Sequence, residues 1–223
     1  MRIIRGVAGL LGEVLVTIGV VLVLFVGWQL WWTDVVSDAD AASVVTTLER
    51  AFDDPASGWV TPKGLRQGDA YAVVRIPRFG RAFARPLYEG TTRDVLQRGI
   101  GHYVGTALPG EVGNFAMAGH RTTYGKPFNR IAELREGDII LVETSETWFV
   151  YRVSGHQIVP PSQASVLLPV PDQPDASATE AVLTMTSCHP EFSARERYVV
   201  HAILEARYPH ARGVPQDLLE VAG

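Results

Sequence analysis

From Val14 to Thr33 the chain carries only uncharged and mostly apolar side chains. As a helix rising about 1.5 Å per residue, such a run reaches roughly 30 Å, the thickness of a bilayer's hydrocarbon core. Trp28, Trp31 and Trp32 gather at its far end, where amphipathic rings favour the headgroup region. Arg2 and Arg5 precede the run, and Asp34, Asp38 and Asp40 follow it. The positive-inside rule then predicts a cytoplasmic N-terminus, with everything after Trp32 outside the cell. A cleaved signal peptide is the rival reading, but its apolar region is usually shorter and ends at a small-x-small site. Here bulky Leu30, Trp31 and Trp32 close the run, although Ala39, Ala41 and Ala42 offer a weak site. Residues 1–33 are therefore read as a cytoplasmic start and an uncleaved single-pass transmembrane anchor in the cell membrane.

Beyond the anchor the pattern changes twice. Residues 34–70 start with a short stretch of helical character, Ala41 to Phe52. They then pass through Asp53-Asp54-Pro55-Ala56-Ser57-Gly58 and Thr61-Pro62-Lys63-Gly64, which are turn formers. This region reads as an extracellular stalk that holds the next domain away from the membrane. From Tyr71 short apolar stretches alternate with Gly and Pro. Ala72–Ile76, Ile139–Val142, Trp148–Val153, Val182–Thr186 and Tyr198–Leu204 predict strands, and only Thr92–Arg98 and Asn129–Leu134 predict short helices. Many short strands with little helix argue for a mainly β fold, a closed or nearly closed barrel, over residues 71–208. Residues 209–223 read as a surface tail.

Composition narrows the function classes. Without anchor and linker the chain holds one domain of about 140 residues, a typical size. A formal net charge of -4 gives no electrostatic footprint for nucleic acid. No His/Asp/Glu cluster has metal-ligand spacing and no Gly-rich phosphate loop is visible, so no cofactor is called for.

The candidate chemistry starts at Cys188, the sole cysteine. An unpaired thiol outside the cell has no disulfide partner in its own chain and is open to oxidation. It is either a small buried apolar residue at a strand end or a nucleophile. Alternation along the strand puts Leu183 and Met185 toward a core, and Thr184, Thr186 and Cys188 on the other face. A turn through His189–Ser193 would bring Arg197 back beside Cys188, where a guanidinium favours a thiolate and donates to an oxyanion. Arg195 shares that strand face and competes with Arg197. For an acid or base, His120 stands directly after an apolar strand and Gly119, a setting typical of a strand end. Glycine there allows a sharp backbone turn. His189 adjoins the cysteine but faces the opposite side of the strand; His102, His156, His201 and His210 read as structural or exposed.

These residues resemble the sortases, membrane-anchored cysteine transpeptidases of Gram-positive bacteria. The likeness lies in Gly119-His120-Arg121, in Thr184-Met185-Thr186-Ser187-Cys188, and in Arg197 followed by Val199-Val200-His201-Ala202. Gly119–Gly125 and Cys188–Ser193 look most like the class E sortases of actinobacteria, with class D next. Ser187 departs from the family's usual Thr but keeps the hydroxyl. The family places an alanine five residues after its arginine, and Ala202 stands so to Arg197, which favours Arg197 over Arg195.

The resemblance implies a sortase-like closed barrel and three catalytic residues, Cys188 as nucleophile, His120 as acid and base, and Arg197 at the oxyanion. It implies cleavage of a Leu-Pro-x-Thr-Gly signal, or Leu-Ala-x-Thr-Gly for class E, between Thr and Gly. The partners implied are secreted proteins bearing a C-terminal sorting signal, a peptidoglycan-precursor amine, and the lipid bilayer around the N-terminal helix. Thr186 would help hold the peptide, and Val166, Leu167 and Leu168, in the loop before the cysteine strand, would line a pocket for the signal's leucine. Some sortases use calcium, but no acidic cluster here is named as a site. Two other classes remain open on the residues alone: a thiol peptidase that passes the acyl group to water, and a non-catalytic barrel that binds the cell wall.

Overall fold

Two features organise the molecule: one long N-terminal helix and a barrel closed by hydrogen bonds all the way round. They are seen in a computed structural model, which describes residues 2–54 and 64–219. The helix, α1, is Arg2–Asp53. Within it Gly9–Trp28 is exposed, and is long and apolar enough to cross a membrane. Near its end the rings of Trp28 and Trp32 stack with centroids 5.9 Å apart.

The barrel strands are β1 (Ala70–Arg75), β2 (Ala84–Glu89), β3 (Ile100–His102), β4 (Gly113–Ala118), β5 (Ile139–Glu143), β6 (Thr147–Val159), β7 (Ala181–His189) and β8 (Glu196–Pro209). Their order round the barrel is β1-β2-β3-β4-β7-β8-β6-β5, and β5 pairs back onto β1. Only β2–β3 and β4–β7 are parallel pairs. Full closure removes the open edges that a sheet of this size would otherwise expose. The interior is filled by side chains such as Val74, Leu87, Phe115, Tyr151, Leu183 and Met185.

Two of these strands escaped the sequence pattern, and a third, β4, shows in it only as a short apolar strand ahead of Gly119. In β2, Arg85, Pro86 and Glu89 mask the apolar positions, and β3 is only three residues long. β4 is buried at every position, so it lacks the polar/apolar alternation that marks a half-buried strand. β6 and β8 run past their expected ends, and β8 continues through Tyr208 and Pro209. The region read as a surface tail is partly packed: Val214, Leu218 and Leu219 lie on Leu141, Trp148 and Val150. The four residues after Leu219 lie outside the described residues.

The larger difference concerns residues 34–53. They do not stand off as a stalk but continue α1 and lie against the barrel. Ala41, Val45, Leu48 and Phe52 are buried, and their spacing of three and four residues makes one face of a helix. Val45, Leu48 and Phe52 pack with Val73 of β1. Arg75 of β1 pairs with Glu49 of the helix and, at 3.1 Å, with Glu143 of β5. The turn-forming stretch up to Lys63 falls on residues 55–63, outside the described residues, apart from Asp53 and Asp54 before it and Gly64 after it.

Candidate active site

The site is built by parallel pairing of β4 with β7. Their register runs from Gly113 opposite Ala181 to Ala118 opposite Thr186. The pairing continues past the end of β4: the Gly119 N–H donates to the Thr186 carbonyl at 3.2 Å. Ser187 Oγ donates to the Gly119 carbonyl at 2.9 Å. The hydroxyl at position 187 thus fastens the cysteine strand to the residue before His120, a function that Ser performs as well as Thr. His120 follows Ala118 by two residues as Cys188 follows Thr186, so both lie at this end of the barrel. On the other side of β7, antiparallel pairing puts Arg197 of β8 opposite Cys188. The barrel thereby brings three residues expected from the sequence to one rim, with His120 arriving from a distant part of the chain.

Gly119 is needed at the rim for space rather than for its backbone angles. A Cβ there would lie 2.7 Å from Phe128 Cδ2, closer than real contacts allow. Phe128 is fully buried, and its N–H donates to the His120 carbonyl at 3.0 Å. The chain after His120 is thus folded back over the core.

His120 is partly buried, and its Nε2 is enclosed without a hydrogen-bond partner. Burial disfavours the imidazolium and lowers the His120 pKa below its ordinary value. Its ring packs on that of Tyr124, with centroids 5.2 Å apart. Cys188 is a free thiol, partly exposed. Arg197 is partly buried, and its Nη1 donates to the carbonyls of Ala194 and Glu196, both at 2.9 Å. Arg195 is exposed and lies before β8 begins.

Arg121 was passed over as a functional residue in the sequence. It is buried, and its Nη1 donates to the Cys188 carbonyl at 3.3 Å and lies 3.3 Å from His189 Nδ1. Its guanidinium also sits 5.7 Å from the Tyr198 ring centroid. Asn129 completes the clamp: its Nδ2 donates to the Arg121 carbonyl at 3.0 Å and to Glu191 Oε1 at 2.9 Å. The loop after β4 is thus tied to the turn between β7 and β8. The available signal was position: Arg121 directly follows His120 in the motif, and an arginine beside a buried imidazole needs a reason to be there.

The remaining expected positions divide. Thr186 is buried, and its hydroxyl exchanges a 2.9 Å hydrogen bond with Tyr103 Oη. Val166 is buried with Val159 and Val199 rather than opening onto a surface. Leu167 and Leu168 are partly exposed. Asn114 of β4 holds this loop by donating to the Val166 and Leu168 carbonyls at 2.9 and 3.0 Å. Leu167 lines a cleft of about 250 Å³ with Thr106, Ala107, Asn114 and Pro169. That cleft lies at the start of β4, and His120 lies beyond its end, on the order of 20 Å away along an extended strand. The other histidines have their own partners. His102 Nδ1 lies 2.7 Å from Glu89 Oε2 inside the barrel. His201 Nδ1 lies 2.9 Å from Thr184 Oγ1, and His210 stacks on Trp148. Among the described residues no group of three or more His, Cys, Asp or Glu side chains is arranged to hold a metal ion.

Comparison with known proteins identifies the family. The model of the Sortase domain family matches residues 74–205. Sortase SrtE1 of Streptomyces coelicolor is 38% identical over 217 residues, covering 94% of this chain and 60% of that protein. The chain therefore spans 60% of the length of that relative. Among solved structures, the SrtA sortase from Actinomyces oris is 40% identical with a TM-score of 0.67, covering 72% of this chain and 93% of that one. Sortase E1 from Streptomyces coelicolor, solved with a tripeptide in the active site, is 34% identical with a TM-score of 0.62, covering 69% and 99%. The matched segment contains His120, Cys188 and Arg197, and its barrel is the one described above: the chain belongs to the sortase family.

Proposed function

We propose that this protein is a membrane-anchored cysteine transpeptidase acting on a sorting signal of the Leu-Pro/Ala-x-Thr-Gly type. The reading is supported above all by the β4–β7–β8 register, in which Arg197 stands opposite Cys188 and β4 ends two residues before His120. In the first step His120, neutral because burial disfavours its charge, takes the Cys188 proton. The sulfur then bonds to the carbonyl carbon of the signal's Thr. Arg197 donates to the oxygen while it carries negative charge. The C–N bond to Gly breaks as the proton passes from His120 to the leaving amine, leaving a thioacyl-enzyme. In the second step an amine of a peptidoglycan precursor attacks the thioester and gives its proton to His120. The C–S bond breaks, and the thiolate recovers the proton.

The substrate groove in this proposal uses the outer face of β7, where Thr186 precedes Cys188 by two residues, and the loop between β6 and β7. Leu168 contacts the signal's leucine there and Val166 supports the loop from beneath, while Leu167 lines the cleft at the start of β4, further from Cys188 than the roughly 10 Å between the signal's leucine and its Thr. The tripeptide in the active site of Sortase E1 supports peptide binding at this site. Secreted proteins carrying a C-terminal signal are the donors. The apolar helix and the charges flanking it support a single-pass anchor with the catalytic domain outside the cell.

The defining experiment mixes the full chain with a signal peptide, with and without an added amine. Cleavage with amine-dependent ligation is the expected result. Hydrolysis alone would make the protein a thiol peptidase, and no cleavage would make it a non-catalytic barrel. Cys188→Ala should abolish turnover. His120→Ala and Arg197→Ala should each lower kcat by about 10²-fold or more. Arg197→Lys should also be poor, because an ammonium lacks the planar fork, while Arg195→Lys should stay within about twofold. An essential Arg195 with a dispensable Arg197 would reverse that assignment.

The burial of His120 has its own consequence. In the Cys188→Ala chain, NMR titration of the His120 ring should give a midpoint below the ordinary 6.5. A midpoint at or above that value would mean that the imidazole is solvated. For the topology, protease added to intact wall-stripped cells should digest the domain from residue 71 onward, and full protection behind a verified sealed membrane would reverse the orientation.

A further inference from the structure

The end of α1 that follows the membrane-length run is built into the loop that follows His120. Asp34 Oδ2 pairs with Lys126 Nζ at 2.7 Å, and Asp38 Oδ1 with Arg85 Nη2 at 2.6 Å. The same Arg85 Nη2 donates to the Gly125 carbonyl at 3.4 Å. A Cβ on Gly125 would meet Asp38 Oδ1 at 3.0 Å and Ser37 Cβ at 3.4 Å, so the helix lies as close to this backbone as a glycine permits.

That stretch of backbone is in an unusual conformation. Tyr124, Gly125 and Lys126 have φ of 53°, 67° and 36°. Two non-glycine residues in the left-handed region, flanking a glycine, are costly, and they persist only where surrounding contacts over-determine them. The contacts here come from two sides. Gln97 Nε2 donates to Tyr124 Oη at 3.1 Å, and α1 holds Gly125 and Lys126. Between them the Tyr124 ring is fixed against the His120 ring. Catalytic bases are commonly oriented by a hydrogen bond from a third group. In this protein His120 Nε2 is buried with no such partner, and the ring contact with Tyr124 is in the place of an orienting group.

We propose that residues 34–38 of α1 are a positioning element of the active site: docked on Gly125 and Lys126, they fix the Tyr124 ring and through it the His120 imidazole. The proposal rests on the reading of His120 as the acid and base. It makes Tyr124, Arg85 and Lys126 positioning residues, with no contact to substrate required of them. It also joins the membrane anchor directly to the catalytic geometry, because the anchor and the docking segment are one helix.

The test uses the full chain in detergent micelles, a signal peptide and an added amine. His120→Ala is the reference, and a kcat that stays near wild type there would overturn the reading of His120 and the proposal with it. With that reference inactive, Tyr124→Ala should lower kcat about tenfold with KM within about twofold, since small misplacements of a reacting group are costly. Tyr124→Phe, which keeps the ring but loses the Gln97 bond, should lose clearly less kcat than Tyr124→Ala. Arg85→Met should lower kcat several-fold with an unchanged thermal melt. In the double variant Arg85→Met/Tyr124→Ala the loss should be no more than about twofold beyond Tyr124→Ala alone, because the helix acts through that ring. A double loss equal to the product of the single losses, or full kcat in Tyr124→Ala, would overturn the proposal. Should Arg85→Met fail to fold, Lys126→Asp takes its place. It should lower kcat alone and recover it when combined with Asp34→Lys, and no recovery would count against the proposal.

Discussion

Parallel pairing of β4 with β7 is the constraint on which the rest of this structure depends. A parallel pair cannot be closed by a tight turn, so the chain between the two strands must leave the sheet and return. Here it builds β5 and β6 on the way, and with them the far side of the barrel. Because side chains along a strand alternate strictly, a slip of one residue would turn Cys188 to the interior and Ser187 to the rim. Several interactions oppose such a slip. Leu183 and Met185 occupy the barrel core, Ser187 bonds to the carbonyl of Gly119, and Phe128 fills the space above Gly119. The candidate nucleophile and the candidate acid are aligned by the same contacts that close the barrel.

Around this register the molecule places groups that hold position beside groups that react. Arg121 and Asn129 clamp the loop after β4 to the turn after β7, and α1 with Gln97 clamps the residues just beyond. This end of the barrel carries a partly exposed thiol and a partly buried imidazole, with a guanidinium opposite the thiol on the neighbouring strand. Burial of His120 lowers its affinity for a proton, which favours the neutral imidazole that the proposed base requires. The Arg197 guanidinium rests on the carbonyls of Ala194 and Glu196, so engaging a substrate oxygen requires it to exchange those bonds for new ones.

Much of this was legible in the chain, and the misses have physical reasons. The membrane-length helix, the strands β1 and β5–β8, and the convergence of Cys188 with Arg197 follow from apolar runs and from the period of two along a hairpin. β4 was legible only at its end, as the apolar strand before Gly119, because a strand buried on both faces has no alternation to read. The docking of residues 34–53 was visible in the spacing of Ala41, Val45, Leu48 and Phe52, yet a short amphipathic stretch does not announce what it packs on. Gly119 was flagged for the right position and the wrong reason, since its need is room for Phe128, a contact invisible without the fold. Arg121 was visible only as part of a motif, because its partners, the Cys188 carbonyl and His189, come from a strand that pairing alone brings near. Val166, expected to line a pocket for the signal's leucine, is the loop's own small core.

The central claim is that Cys188 forms a covalent acyl link to a signal peptide. It is tested most directly by intact-protein mass spectrometry of the full chain mixed with a signal peptide and quenched in acid before an amine is added. The account predicts an added mass equal to the peptide up to and including its Thr, mapped to Cys188 after digestion and absent from Cys188→Ala. An adduct on another residue, or product release with no adduct at any quench time, would contradict it.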